Sequence, residues 1–452
     1  MLIRSAISAC QARRRRFRIY VFVSGVTYTL CRPRSARDLS SAGRQEFFMN
    51  AKNRVVVVGA GPVGMASALA LHRHGVEVTV LEAEPGPVKD QRAASLHPPT
   101  LDMLAELNVT QAIIPRGLVA PVYRYHDRVT GEVIAEFDLA DLAEELAYPF
   151  VLQYEQYKFT RDISQQYANE SDFDVRFSRR VTSVKQTGDG VFVEAEGPDG
   201  LEHHTCAYLI GADGGRSTVR HSQGIEFEGF TYPERFIKIA TGFDFGEAHP
   251  HYAYRNYFSD PDEWCNLFKV RGESAGGLWR AIFPTRLDET EEQALHPDGV
   301  EARLQKFFPK AGRYPIAYCN IYSVSQRVAA NFRRGRVLLA GDAAHVNNPI
   351  GGMGMNGGIH DAINLAEKLS KVMHGQADEQ LLDLYSRQRR KAAIDYVQAQ
   401  TIRNKKMLEE RDPVVRRRNL DELRRTADDR RASRTFMRRA ALVESLQAAA
   451  AA

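Results

Sequence analysis

The chain has 452 residues, room for more than one lobe around a large core, and a formal net charge of +5. That charge is uneven: residues 1–48 hold ten arginines and two acids, so the remainder is slightly acidic and carries no nucleic-acid-binding signature. The five cysteines (Cys10, Cys31, Cys206, Cys265, Cys319) show neither metal-ligand spacing nor a disulfide framework, and no apolar run is long enough for a membrane span. These features fit a cytoplasmic protein, monomer or homodimer, with no membrane or nucleic-acid partner.

Residues 1–48 read as an extension, disordered or absent from the mature protein, with Met49 as the working start. An export signal and an arginine-rich organelle presequence are the alternatives; against the first, Ser24, Gly25, Thr27 and Thr29 interrupt the apolar part.

Residues 54–58 are a buried parallel-type strand running into Gly59-Ala60-Gly61-Pro62-Val63-Gly64, a G-x-G-x-x-G fingerprint. A helix follows, ended by Gly75, and a second strand over 76–81 carries Glu82 at its end. The glycines suit a tight turn, close approach of a pyrophosphate and helix-on-strand packing, and Glu82 sits where a carboxylate holds a ribose 2′-hydroxyl. A carboxylate there repels a 2′-phosphate, so the site suits the ADP half of FAD or NAD. Residues 119–147 predict a hairpin turning at Thr130-Gly131-Glu132. A further strand beginning at Tyr208 ends in a glycine-flanked aspartate, Asp213-Gly214, which taken alone is a turn signal. Alternating aromatic stretches at 252–258, 264–270 and 277–283 predict antiparallel strands.

The stretch 336–365 is the richest. An apolar strand over 337–340 ends at Gly341-Asp342, a glycine-rich loop through Pro349, Gly352, Gly354, Met355 and Asn356 follows, and a helix is expected from about Ile359. Free N–H groups and a positive helix end suit an anion, and an acceptor at Asp342 suits a ligand hydroxyl. After Arg403 the pattern is helical but highly charged, which predicts a solvated tail.

In order and spacing, these three motifs resemble the single-component FAD-dependent aromatic hydroxylases, the flavoprotein monooxygenases that include para-hydroxybenzoate and phenol hydroxylases. The resemblance implies an α/β fold: a discontinuous Rossmann-type FAD-binding domain (49–118, 148–224 and 333–404), a mixed or antiparallel-sheet substrate domain (119–147 and 225–332) and a helical tail (405–452). It implies that Gly59, Gly61, Pro62, Val63, Gly64 and Glu82 hold the ADP of FAD, and that Arg92 and Gln156 touch the cofactor. Asp213 and Gly214 would serve FAD and the nicotinamide reductant, and Gly341 and Asp342 the ribityl chain. Pro349, Gly352, Gly354, Met355 and Asn356 would line the flavin ring. The implied reaction uses NADPH or NADH and O2 to hydroxylate a small phenolic compound through a C4a-hydroperoxyflavin. His345 and Tyr254 are the weak candidates for catalysis. Arg255 and Arg280 are candidates to clamp a substrate carboxylate. The plainer readings are a backbone-bonded loop residue for His345, packing for Tyr252, Tyr254 and Tyr257, and solvent exposure for Arg255 and Arg280. The halogenase signature W-x-W-x-I fails, because Gly277 stands where its first tryptophan belongs. An epoxidase or reductase acting on a lipid or isoprenoid, and a non-enzymatic FAD-binding regulator, are the rival readings.

Overall fold

A computed structural model describes residues 20–23, 26–29, 53–89, 93–188, 190–273 and 276–451. Within the extension, Tyr20–Val23 and Val26–Thr29 pair as an antiparallel hairpin, and the rest of that expectation lies outside the described residues, as does Arg92.

From Asn53 onward the elements used below run in chain order. They begin with β1 (Arg54–Val58), α1 (Pro62–Arg73), β2 (Glu77–Leu81) and α2 (Pro98–Glu106). Next come β3 (Val122–Asp127), β4 (Val133–Asp138), α3 (Gln156–Gln166), β5 (Phe173–Arg176) and β6 (Tyr208–Gly211). The middle of the chain gives β7 (Phe227–Thr241), β8 (Arg255–Ser259), β9 (Cys265–Val270), β10 (Leu278–Pro284) and β11 (Ile316–Ala329). Three short strands follow: β12 (Arg333–Arg334), β13 (Val337–Leu339) and β14 (His345–Val346). The helices α4 (Met353–Met373), α5 (Gln380–Ala392), α6 (Ala399–Leu408), α7 (Pro413–Asp428), α8 (Arg430–Ala440) and α9 (Val443–Ala450) complete the chain.

One sheet has the order β5-β2-β1-β6-β13-β12 and is parallel except at β12. Its central strands are buried apart from Arg54 at the start of β1, as the apolar runs Val55–Val58 and Val337–Leu339 require. The other sheet has the order β14-β11-β7-β10-β9-β8-β3-β4 and is antiparallel except between β8 and β3. The hairpin expected over 119–147 is β3–β4, with Gly131 in the left-handed region at φ 77°. Gly75, at φ 74°, ends α1 as expected.

Two expectations change. The helix expected from about Ile359 starts at Met353, behind Gly352 at φ 71°. Its second turn keeps Gly358 because a neighbour lies too close for a side chain: a Cβ there would sit 2.5 Å from a Val63 methyl and 3.0 Å from the Gly341 backbone. The tail is not a solvated arm. Leu420, Leu423 and Met437 are buried in one cluster with Tyr125, Phe137 and Tyr257, and Phe436 stacks on Phe137 at 4.4 Å. The abundance of charge conceals this narrow apolar stripe. The outer arginines pair with acids of the hairpin segment: Arg424 with Glu132 and Arg434 with Glu144, each at 2.6 Å, and Arg416 with Asp127.

Candidate functional site

The three motifs meet along the C-terminal ends of the parallel strands, where open α/β sheets bind ligands. Backbone bonds lace them together: Ala340 N–H donates to Gly211 C=O (3.0 Å), Ala212 N–H to Val58 C=O (2.8 Å) and Gly59 N–H to Leu81 C=O (2.8 Å). Glu82 completes the row, its carboxylate accepting from Ala60 N–H at 2.6 Å.

The glycines of the fingerprint have different tasks. A Cβ on Gly59 would meet Ala212 C=O at 2.5 Å, and one on Gly64 would lie 1.8 Å from Gly59 C=O, so both are fixed by packing. A Cβ on Gly61 would meet nothing within 4 Å. That opening faces the start of α1, whose first turn holds Pro62 and no acid. Open space beside unsatisfied N–H groups fits the pyrophosphate of a dinucleotide. Val63 spaces α1 from the third motif, packing against Gly341 and Gly358.

At the second motif Asp213 accepts from Ser217 Oγ (2.5 Å) and Val219 N–H (3.1 Å), so it does the turn-holding work of a lone Asp-Gly pair. Burial nevertheless raises its pKa. Gly214, at φ 80°, leaves open space beside it. Arg220 joins the second motif to the third: fully buried, it donates to Gly215 C=O and Ala343 C=O, each at 2.9 Å, and lies 3.8 Å over the Phe227 ring.

At the third motif Asp342 is exposed on the turn at Gly341, which has φ 59°. Behind it is a buried network that the motif reading missed. Asp361 accepts from His345 Nε2 (2.7 Å), Gly341 N–H (3.1 Å) and Arg389 Nε (2.6 Å). Burial alone would raise the Asp361 pKa, but Arg389 and His345 outweigh it and hold the carboxyl below its ordinary range. His345 is a brace here, stacked on Phe332 at 5.8 Å. The available signal was helical spacing, which puts Asp361 inside α4, where a buried acid demands a cation.

Pro349 and Met355 are half-buried, and Pro349 C=O accepts from Gly352 N–H at 3.0 Å. No acid lies in the first turn of α4, which carries Gly354, Met355 and Asn356, so its N–H end stays positive. The Asn356 side chain faces the protein, accepting from His97 N–H (2.8 Å) and donating to Ser95 C=O (2.8 Å) and Gly352 C=O (2.7 Å). Gln156 opens α3 and pairs with Ala93, its N–H donating to Ala93 C=O at 3.0 Å.

Beside this loop lies a small cavity lined by His97, Tyr123, Tyr125, Arg255, Tyr257 and Met353, among others, with Met437, Ala440 and Ala441 of the tail in its wall. Strand alternation decides which side chains reach it: Arg255 and Tyr257 of β8 line it. Tyr254 instead lies 6.4 Å from Trp279 and under the Lys269 ammonium at 5.4 Å, off the cavity wall. Arg255 and Arg280, read as solvated, are both buried, because the sheet face they share is covered.

Residues 52–400 match the family model described as FAD binding domain. The chain is 36% identical over 391 residues to para-nitrophenol 4-monooxygenase of Pseudomonas sp. (strain WBC-3), covering 86% of this chain and 95% of the relative. It is 32% identical to 6-hydroxy-3-succinoylpyridine 3-monooxygenase of Pseudomonas putida (strain DSM 28022 / S16), covering 81% and 91%. The crystal structure of p-nitrophenol 4-monooxygenase from Pseudomonas putida DLL-E4 superposes with a TM-score of 0.80 at 35% identity, covering 85% and 96%. The chain belongs to the FAD-binding-domain family of flavin-dependent aromatic hydroxylases.

Proposed function

We propose that this FAD-dependent monooxygenase hydroxylates a small monocyclic phenol with O2 and NADPH or NADH. The observation that carries the substrate reading is the cavity between the third motif and the aromatic sheet face. With Tyr123, Tyr125 and Tyr257 as walls and Arg255 and His97 among them, it suits an aromatic ring that carries a polar group. The rival lipid or isoprenoid reading calls for a long apolar tunnel, and a cavity with arginine and histidine in its wall does not favour it.

The residues fit FAD as follows. Gly61 and the start of α1 receive the pyrophosphate, Glu82 the adenosine ribose, and Asp342 the ribityl hydroxyls. The first turn of α4, from Gly352 to Asn356, takes the ring's pyrimidine edge, with Pro349 beside it. Asp213, Gly214 and Gln156 border the same space. When bound, FAD supplies the redox and oxygen-transfer chemistry. The protein's own part is to present positive potential from α4, orient the ring with Tyr125 and Tyr257, and exclude water with Met437 and Ala441. Among the described residues no helix is long and apolar enough to cross a membrane and three cysteines are free, which supports a cytoplasmic location; a monomer or homodimer suits the fold.

The test is substrate-stimulated NAD(P)H oxidation by the FAD-loaded protein across phenols, hydroxybenzoates and hydroxyphenylpropionates, with product identification. Stimulation and a hydroxylated product are expected from at least one phenol. Absence of both across the panel contradicts the reading.

A further inference from the structure

Along the end of β11 every second side chain is buried on one face: Val324, Gln326 and Val328. The middle position of such a row suits a branched apolar residue, yet a glutamine stands there, 1% exposed. Ordering a glutamine in a core costs rotamer entropy, and its amide must find partners. It finds them on two segments outside the sheet. Gln326 Oε1 accepts from the backbone N–H of Asn348, in the third-motif loop. Gln326 Nε2 donates to Thr401 Oγ1 at 3.3 Å and to Gln398 C=O at 3.5 Å, on the helical run beyond α5.

That run is irregular where Gln326 meets it. Ala393–Gln398 form a π-helical turn between α5 and α6, a rare element that clusters at functional sites. Thr401, fully buried just beyond it, spends its one hydrogen on Val397 C=O at 2.9 Å, which leaves its oxygen to accept from Gln326. One turn further on, Asn404 Nδ2 donates to Ile350 C=O at 3.3 Å. Val397 shares a buried cluster with Met353, the first residue of α4. The loop before α4 is therefore held from β11 at Asn348 and from α6 at Ile350. Inside it, Asn348 Oδ1 accepts from Ile350 N–H at 2.9 Å across Pro349, and Gly351 and Gly352 have φ of 107° and 71°. Two adjacent glycines give such a loop little stiffness of its own, so its shape depends on these braces.

We propose that Gln326 is a positioning residue for the bound flavin: acting through Asn348, and together with Thr401, it fixes the loop so that the N–H end of α4 stays against the ring's pyrimidine edge. The potential at a helix end falls off within one turn, so a small displacement of the loop weakens its hold on the negative charge that the ring gains on reduction. Gln326 and Thr401 do not line the cavity and act only through the loop. The inference rests on the placement of the pyrimidine edge at Gly352 to Asn356 proposed above, and adds what holds that segment in place.

The experiment measures the midpoint potential of the FAD-loaded protein together with amide hydrogen exchange. In wild type, FAD should slow exchange at the amides of Met353 to Asn356. Gln326→Met and Thr401→Val should retain FAD, quicken exchange over residues 348–352 and disfavour the reduced over the oxidised cofactor at least tenfold, a fall of about 30 mV for a two-electron couple. Thr401→Ser keeps the hydroxyl and should return the potential close to the wild-type value. Thr285→Val removes a buried hydroxyl that donates to Arg235 C=O at 3.1 Å outside the loop, so it should lower the thermal midpoint and leave the potential unchanged.

A wild-type potential in Gln326→Met or Thr401→Val overturns the positioning role, and so does an equal fall in Thr285→Val, which would mark general loosening. The Thr401 pair decides the question if Gln326→Met does not fold. If FAD binds without protecting Met353 to Asn356, the placement of the ring is wrong and the inference falls with it. Protection in wild type with unshifted potentials in the variants removes the positioning role alone.

Discussion

The carboxylate of Asp361, fully buried in α4, accepts a 3.1 Å hydrogen bond from the backbone N–H of Gly341, the turn residue that presents Asp342. The long helix and the third motif are thus one rigid piece, with Arg389 neutralising the acid and holding Gly357 C=O at 3.2 Å.

Asp361→Asn keeps the shape but leaves Arg389 without its counter-charge. Breaking a buried pair from one side costs about 3–5 kcal/mol. The urea midpoint should fall accordingly, and the protein should lose FAD because the turn at Gly341 is no longer held. A wild-type midpoint would show that the network is not a stabilising element.

Gly61 and Gly64 separate binding from folding. Gly61→Ala adds a methyl to open space at φ −65°, a conformation alanine accepts, so the protein should fold with an unchanged thermal midpoint but retain at least tenfold less FAD. Gly64→Ala drives a methyl into Gly59 C=O and should give little soluble protein. Equal FAD content in Gly61→Ala and wild type argues against a pyrophosphate at that opening.

Asp342 is exposed, so Asp342→Ala should leave the apoprotein's stability within about 0.5 kcal/mol. FAD affinity, followed by flavin fluorescence on titration, should fall at least tenfold. Full FAD occupancy after gel filtration contradicts the ribityl assignment.

Met437 is fully buried between the tail and the sheet and lines the cavity. Met437→Ala should cost about 2–5 kcal/mol. It should also widen the pocket, raising KM for small phenols and admitting bulkier ones. Unaltered stability and selectivity would mean that the tail does not close the site.

Buried neutral histidines set the acid limb of stability. Burial, then Arg389, lowers His360 to about 3, and burial lowers His126 to about 4, from the ordinary 6.5. Each folded pKa lies below the unfolded one, so below pH 6.5 the unfolded chain takes up protons that the folded one refuses. Stability is full above that pH and declines as pH falls towards 4, by up to about 1.4 kcal/mol per unit for each histidine. Urea midpoints from pH 7.5 to 5 should fall, and His360→Gln should flatten the slope. A level profile in wild type contradicts this.

Much of the fold was legible because its signals are local. The Val55–Val58 run, the fingerprint glycines, the carboxylate at Glu82 and the alternation of the sheet strands follow from period and sterics within a few residues. The sequence by itself therefore determined a parallel sheet with a dinucleotide cradle and an attached aromatic sheet. Charge pairing across the chain was not legible. His345 became a brace because Asp361 and Arg389, 16 and 28 positions from their partners, meet only when α4 and α5 pack. Arg255 rather than Tyr254 reached the cavity because β8 pairs with β3 in one register, and a shift by one residue would have reversed the two. The tail became a wall because its sparse apolar residues, Leu420, Leu423 and Met437 among them, need a facing surface to bury them, and only the tertiary structure supplies that surface.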